Sequence, residues 1–149
     1  MKISSPTLFD TNILIYNQDK NSQFFNIASE WHNKALSGEI NAVISSQNLL
    51  EFAAVMTNPN KITHPLTQKL AALEINKYFA TDQFEIIYPN NETIKAFSAL
   101  LKKYPMKNPI QIFDLFLVAT MISNEIYQIL TLNRQDFRFK EVKVVNLYN

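Results

Sequence analysis

Two hydrophobic periods alternate along this chain. Near its start, "PTLF" is a short apolar run that reads as a buried strand ending at Asp10. "FFNIASEWHNKALSG" then changes to helical spacing: Phe24, Ile27, Ala28, Trp31 and Ala35 fall on one face, and Gly38 supplies the C-cap. "AVIS" (42–45) reads as a second strand, after which Ser45 or Ser46 caps the helix "QNLLEFAAVMT", stopped at Asn58-Pro59. The loop "NPNKITHP" leads to a helix from Thr67 to Phe79. "FEIIYP" (84–89) is a strand closed by proline, and "NNETIKAFSALLKKYP" a helix begun by asparagine and ended by Pro105. Another helix is expected from Phe113 to Asn124, and "YQILTLN" (127–133) and "VKVVNL" (142–147) complete the strands.

Strands and helices alternate here without hairpin turns. That order predicts an α/β fold of three layers, α/β/α, around a central, mainly parallel sheet of four or five strands. No repeat, low-complexity stretch or linker divides residues 1–149, so a single domain is expected. In a parallel sheet the C-terminal ends of the strands share one edge, where α/β folds carry their sites.

Composition narrows the chemistry. With 47% hydrophobic and 18% charged residues the chain can bury a substantial core. Its net charge of +1 gives no global attraction to nucleic acid or membrane, so an anionic partner must be held by a local patch. The absence of cysteine removes disulfides, thiolate nucleophiles and thiolate metal sites, and two histidines far apart in sequence make a histidine zinc site a poor fit. A single glycine, Gly38, excludes glycine-rich phosphate loops. No uncharged apolar run reaches the ~20 residues of a membrane span, and the N-terminus meets an aspartate before any signal-length apolar stretch. A cytoplasmic protein without membrane contact is expected.

"NPIQIFDLFLVATMIS" (108–123) then poses a question, because it sets one acid, Asp114, among Ile112, Phe113, Leu115, Phe116 and Leu117. A carboxylate in apolar surroundings has to be paired, protonated or bound to a cation. Three other acids fall toward the same edge of the predicted sheet. Asp10 follows the first strand, Glu51 lies in the helix after the second, and Asp136 comes just beyond the fourth. Four clustered carboxylates repel one another unless cations lie between them, and hard oxygen donors without His or Cys select Mg²⁺ or Mn²⁺. Such clusters commonly hold two ions on a phosphodiester, one to activate water and one to stabilise the leaving oxygen. The chain's two arginines, Arg134 and Arg138, flank Asp136, and Lys95, Lys102, Lys103 and Lys107 lie between Glu92 and Asp114 with no acid among them. An acidic centre with a basic rim is what a nuclease requires, with phosphates attracted at the edge and metals at the middle.

Each residue also has a plainer reading. Asp10 caps the turn "DTN", Glu51 is a solvent-facing helix residue, Asp136 pairs with Arg134 or Arg138, and the lysines form a solvated helix face. A place in the first helical turn accounts for an acid at position 114, though not for the apolar residues on both sides of it. Thr131 and Asn133 read as strand-end polar residues, His32 as exposed and His64 as part of a loop.

Four pieces together resemble the PIN-domain proteins, and more narrowly the VapC-type toxins of bacterial toxin–antitoxin pairs: "FDTNILIY", "SSQNLLEF", "IFDLFLVATMI" and "ILTLNRQDF". The resemblance spans nearly the whole chain. It implies that Asp10, Glu51 and Asp114 match the family's metal-binding acids, Asp136 its fourth and more variable acid, and Thr11, Asn12, Thr131 and Asn133 polar residues that orient the site. It also implies a ribonuclease that forms a homodimer and is silenced by a cognate antitoxin, whose C-terminal segment occupies the active-site groove. A housekeeping RNA-processing or single-strand nuclease of the same fold, and a non-catalytic metal- or RNA-binding domain, remain the alternatives. Two positions depart from the family pattern. Phe116 stands where a small residue is common, and "SNEIYQIL" lacks the usual glycine after the helix, so Asn124 is expected to take the left-handed position there.

Overall fold

The computed structural model describes residues 4–148. Residues 1–3 and 149, at the ends of the expected domain and including the first residues of the N-terminal reading, lie outside the described residues. Five strands form one sheet: β1 (Thr7–Phe9), β2 (Ala42–Ser45), β3 (Phe84–Ile87), β4 (Gln128–Leu130) and β5 (Lys143–Val144). Their order is β3-β2-β1-β4-β5 and every pairing is parallel. The order reverses between β1 and β4, and a crevice outside the strand ends is expected at such a point.

Side chains alternate across the strands and feed two cores. Phe9, Ile44, Phe84 and Leu130 face one layer, made by α1 (Thr11–Tyr16), α2 (Phe25–Leu36), α3 (Ser46–Met56) and α4 (Gln68–Phe79). Leu8, Val43, Ile87 and Ile129 face the other, where α5 (Thr93–Lys103) and α6 (Gln111–Ser123) pack on each other and on the sheet. This is the three-layer α/β/α arrangement that the alternating pattern predicts. Ala28, Trp31 and Ala35 bury the apolar stripe of α2. The Trp31 indole donates to the Leu147 carbonyl at 2.9 Å, pinning the C-terminal segment beneath that layer.

The structure adjusts several expectations. "DTN" is more than a turn: Asp10, in extended conformation, caps α1 by accepting from the Thr11 N–H. The helix at 111–123 starts two residues earlier than expected, and β4 and β5 are shorter than the apolar runs that announce them. Of the two possible caps, Ser45 starts α3 and forms a reciprocal capping box with Asn48. His32 is half-buried, not exposed, with its Nε2 3.2 Å from the Tyr78 hydroxyl and its ring against Phe84. Both neighbours come from segments some fifty residues away, which local pattern does not reveal.

The end of α6 is the clearest correction. Asn124 keeps φ −108°, and Glu125 takes the left-handed position at φ 59°. The Glu125 N–H donates to Ile122 O and the Ile126 N–H to Met121 O, the paired bonds of a Schellman turn. The Asn124 amide is thereby free to donate to the carbonyls of Thr120 and Tyr88, both at 2.8 Å. A left-handed glutamate costs about 1–2 kcal/mol, more than the backbone entropy that glycine adds to the unfolded chain. Glu125→Gly should therefore stabilise the protein by about 0.5–1 kcal/mol. Urea unfolding checks this, and a loss of stability would contradict the geometry.

Candidate active site

The C-terminal edge of the sheet at β1 and β4 gathers a cluster of buried polar side chains, Asp10, Thr11, Asn48 and Thr131 among them. Asp10 is buried there, and its carboxylate accepts three bonds: from the Thr11 N–H at 2.8 Å, the Asn12 amide at 3.1 Å and the Thr131 hydroxyl at 2.7 Å. The Thr11 hydroxyl donates to Glu51 Oε2 at 2.9 Å and accepts from the Asn48 amide at 3.0 Å, so one threonine links the start of α1 to α3. Asn12 also donates to Thr131 Oγ1 and accepts from the Leu132 N–H, closing a ring between β1 and the end of β4.

Asp114 is half-buried in the first turn of α6. The apolar residues before it do not enclose it, since Ile110 and Phe113 are 70% and 62% exposed. Burial, then the charges of Asp10, Asp136 and Glu51, push its carboxyl up to about 7. Burial also pushes Asp10 up to about 6, reinforced by Glu51 and Asp136 and opposed by its bonds from Thr131 and Thr11. Burial and the nearby carboxylates of Glu51 and Asp136 thus raise the proton affinity of both Asp10 and Asp114, which is the electrostatic signature of a shared anionic pocket.

This donor set fits a hard divalent cation: it is all oxygen, and its mutual repulsion is relieved by positive charge. The side chains are not already a cage. Among the described residues no three acids converge closely enough to ligate one ion as they stand. Asp10 is held by neutral donors, and Glu51 is held by Thr11 and Gln47.

Gln47 and Asn48 are contributors that sequence reasoning missed. The Gln47 amide donates to Glu51 Oε1 at 2.8 Å and to the Phe113 carbonyl at 2.9 Å, so it bridges the acid on α3 to the residue preceding Asp114 on α6. Its own Oε1 is buried and unpartnered. The spacing of Gln47, one helical turn before Glu51, was the only available signal. Asn133 contributes less than expected: its N–H donates to Thr131 Oγ1, while the residue itself is exposed. Of the basic residues, Lys95 pairs with Glu92 at 3.2 Å and Lys103 with Glu141 at 2.5 Å. Lys107 and Arg138 share a cavity with Asp136, whereas Arg134 lines a second one beside it and Lys102 lies exposed on α5.

A PIN-domain family model matches residues 7–145. Among solved structures, the chain resembles VapBC2 of Rickettsia felis, crystallised with a promoter DNA fragment, at 17% identity and TM-score 0.63, over 95% of this chain and 98% of that one. It resembles a toxin–antitoxin complex from Klebsiella pneumoniae at 24% identity and TM-score 0.60, over 95% and 98%. Mycobacterium tuberculosis VapC20, a toxin that cleaves the sarcin–ricin loop, matches at 14% identity and TM-score 0.62, over 93% and 99%. At these identities the likeness is one of fold. Among curated proteins none matches the sequence.

The raised carboxyls have a direct consequence for stability. Unfolded, the Asp114 carboxyl titrates near 3.8, and folded it holds its proton up to about 7. The folded state is therefore penalised at neutral pH and relieved as pH falls. In EDTA at pH 7.5, Asp114→Asn should be more stable than wild type by about 1 kcal/mol, a value reduced for the half-exposed position. The gap should close as pH falls toward 4. Taking the difference between the two proteins removes the opposing titration of His32, which burial holds below its ordinary value. Denaturant curves across this range measure it, and a gap independent of pH would mean that Asp114 titrates normally.

Proposed function

The chain belongs to the PIN-domain family, and from that premise we propose that it is a Mg²⁺- or Mn²⁺-dependent endoribonuclease acting as the toxin of a toxin–antitoxin pair. The observation that carries this reading is the gathering of the acids at one sheet edge, with Asp10 and Asp114 both raised above the ordinary aspartate value by burial and by neighbouring carboxylates. Such sites are arranged to take up positive charge.

Bound divalent ions would supply water activation and charge neutralisation at the scissile phosphate. Asp10, Glu51, Asp114 and Asp136 would hold them. Asp10 is oriented by Thr11, Asn12 and Thr131. Glu51 is oriented by Thr11 and Gln47, so each oxygen of its carboxylate has a fixed donor. The cations Lys107 and Arg138 beside Asp136 would draw the RNA backbone toward the acids.

Partner binding draws on a different observation. Leu50, Ile110 and Phe113, on the helices that carry Glu51 and Asp114 or just before them, are 71%, 70% and 62% exposed. Apolar side chains around an active-site edge suit a protein partner, in this reading the cognate antitoxin and a second copy of the chain. Among the described residues no helix is long and apolar enough to cross a membrane; action on cytoplasmic RNA is part of this reading. A housekeeping nuclease of the same fold differs in role and not in chemistry. The non-catalytic alternative draws on the acids' lack of a ready-made cage.

Two variants test the assignment. Asp114→Asn should lose Mn²⁺-dependent cleavage of RNA by at least about 100-fold while keeping a cooperative unfolding transition; undiminished cleavage sinks the reading. Gln47→Met keeps the side chain's volume, removes its two donated bonds and replaces its unpartnered oxygen. It should change stability by less than about 1 kcal/mol but weaken Mn²⁺ binding about 10-fold, as calorimetry reads it. Unchanged affinity would make Gln47 a packing residue only.

A further inference from the structure

A cavity of about 370 Å³ opens beside Asp136, between the loop that joins α5 to α6 and the turn of 3₁₀ helix at Arg134–Phe137. Its lining does not match that of a simple gap between loops. Two cations, Lys107 and Arg138, face it from opposite elements, and among the described residues neither is in a salt bridge. Two amides, Gln111 and Gln135, share the wall. Phe139 supplies a flat apolar surface, and it is held in place: its ring meets Tyr104 edge-on at 5.0 Å between centroids, and Tyr104 is itself fixed by donating to Glu141 and accepting from the Lys140 N–H.

We propose that this cavity is a subsite for one unpaired nucleotide of the RNA, with its base against Phe139 and its phosphate between Lys107 and Arg138. The proposal rests on the reading of the neighbouring acids as a nuclease centre, and it adds which part of the substrate is read and where. A nucleotide needs a stacking surface, in-plane hydrogen-bonding groups and cations for its phosphate, and these occur together in this cavity. The volume sits near the lower end of the roughly 300–1,000 Å³ usual for ligand pockets, which suits one nucleotide and not a duplex. A paired base would have to leave its stack to enter.

Gln111 gives the subsite a means of choosing. Its Oε1 accepts from the Lys107 N–H at 3.1 Å, which anchors the loop, and its amide nitrogen has no hydrogen-bond partner among the described residues and so is available to a ligand in the cavity it lines. A fixed donor favours bases that place an acceptor at that point and disfavours those that place a donor there. Gln111→Glu keeps the acceptor that anchors the loop and removes the donor, whereas Gln111→Leu removes both.

The test has two arms. In the first, ¹⁵N- and ¹³C-labelled wild-type protein in EDTA is titrated with the 5′-monophosphates of adenosine, cytidine, guanosine and uridine. Saturable NMR shifts at the Gln111 side-chain amide and the Phe139 ring are expected, tightest for one base, with the preference lost in Gln111→Glu. In the second, cleavage products of a randomised RNA are sequenced. Wild type should show a preference at one fixed position next to the cut. Gln111→Glu and Gln135→Leu should relax it by about 10-fold with unchanged Mn²⁺ affinity. Absence of shifts at these nuclei with all four monophosphates, or an unchanged preference in both variants, would overturn the subsite. If wild type cuts no RNA at all, the nuclease reading fails, and the first arm alone decides whether the cavity takes a nucleotide.

Discussion

Holding negative charge together against its own repulsion is the constraint around which the polar interior of this protein is organised. Asp10 is buried and would be driven to protonate were it surrounded only by the apolar cores above and below it. Three donors hold it in place: two are local, the first N–H of α1 and the amide two residues on, and the third is a hydroxyl at the end of the adjacent strand. Because β1 and β4 are neighbours, Thr131 reaches Asp10 across the pair of strands where the sheet order reverses. The strand order and the position of the charge are therefore one fact seen from two sides.

The same logic extends to the link between α3 and α6. Glu51 has fixed partners on both oxygens, Thr11 from the strand edge and Gln47 from its own helix, and Gln47 continues to the carbonyl before Asp114. A side-chain amide thus ties the helix that carries Glu51 to the residue before Asp114. Its buried, unpartnered oxygen is a local cost of about 1–3 kcal/mol, which is tolerated where position matters more than stability.

Much of this was legible beforehand. The alternation of strands and helices and the parallel sheet followed from hydrophobic period and turn chemistry, and the family match over residues 7–145 agrees with the resemblance carried by the four acidic segments. The sequence also indicated which acids would share an edge, because that depends only on the order of elements. What it concealed was contact. Nothing local announces that His32 leans on Tyr78 and Phe84, that Lys103 is diverted to Glu141, or that Gln47 spans to α6. The apolar residues before Asp114 misled for the opposite reason: hydrophobicity suggested enclosure, while the helix presents Ile110 and Phe113 to solvent. At the end of α6 the rule that asparagine tolerates a left-handed backbone was outweighed by two carbonyls within reach of the Asn124 side chain.

The bond from Trp31 to Leu147 has a practical reach of its own. It joins the molecule's sole indole to nearly the last residue described, on the face of the sheet packed by α2 and away from α6. Intrinsic fluorescence of this protein will consequently report whether the tail is docked, and will be nearly blind to events among the acids. Unfolding followed by emission and unfolding followed by backbone circular dichroism would diverge if the terminus releases first, so a single optical trace is a poor witness to the integrity of the whole.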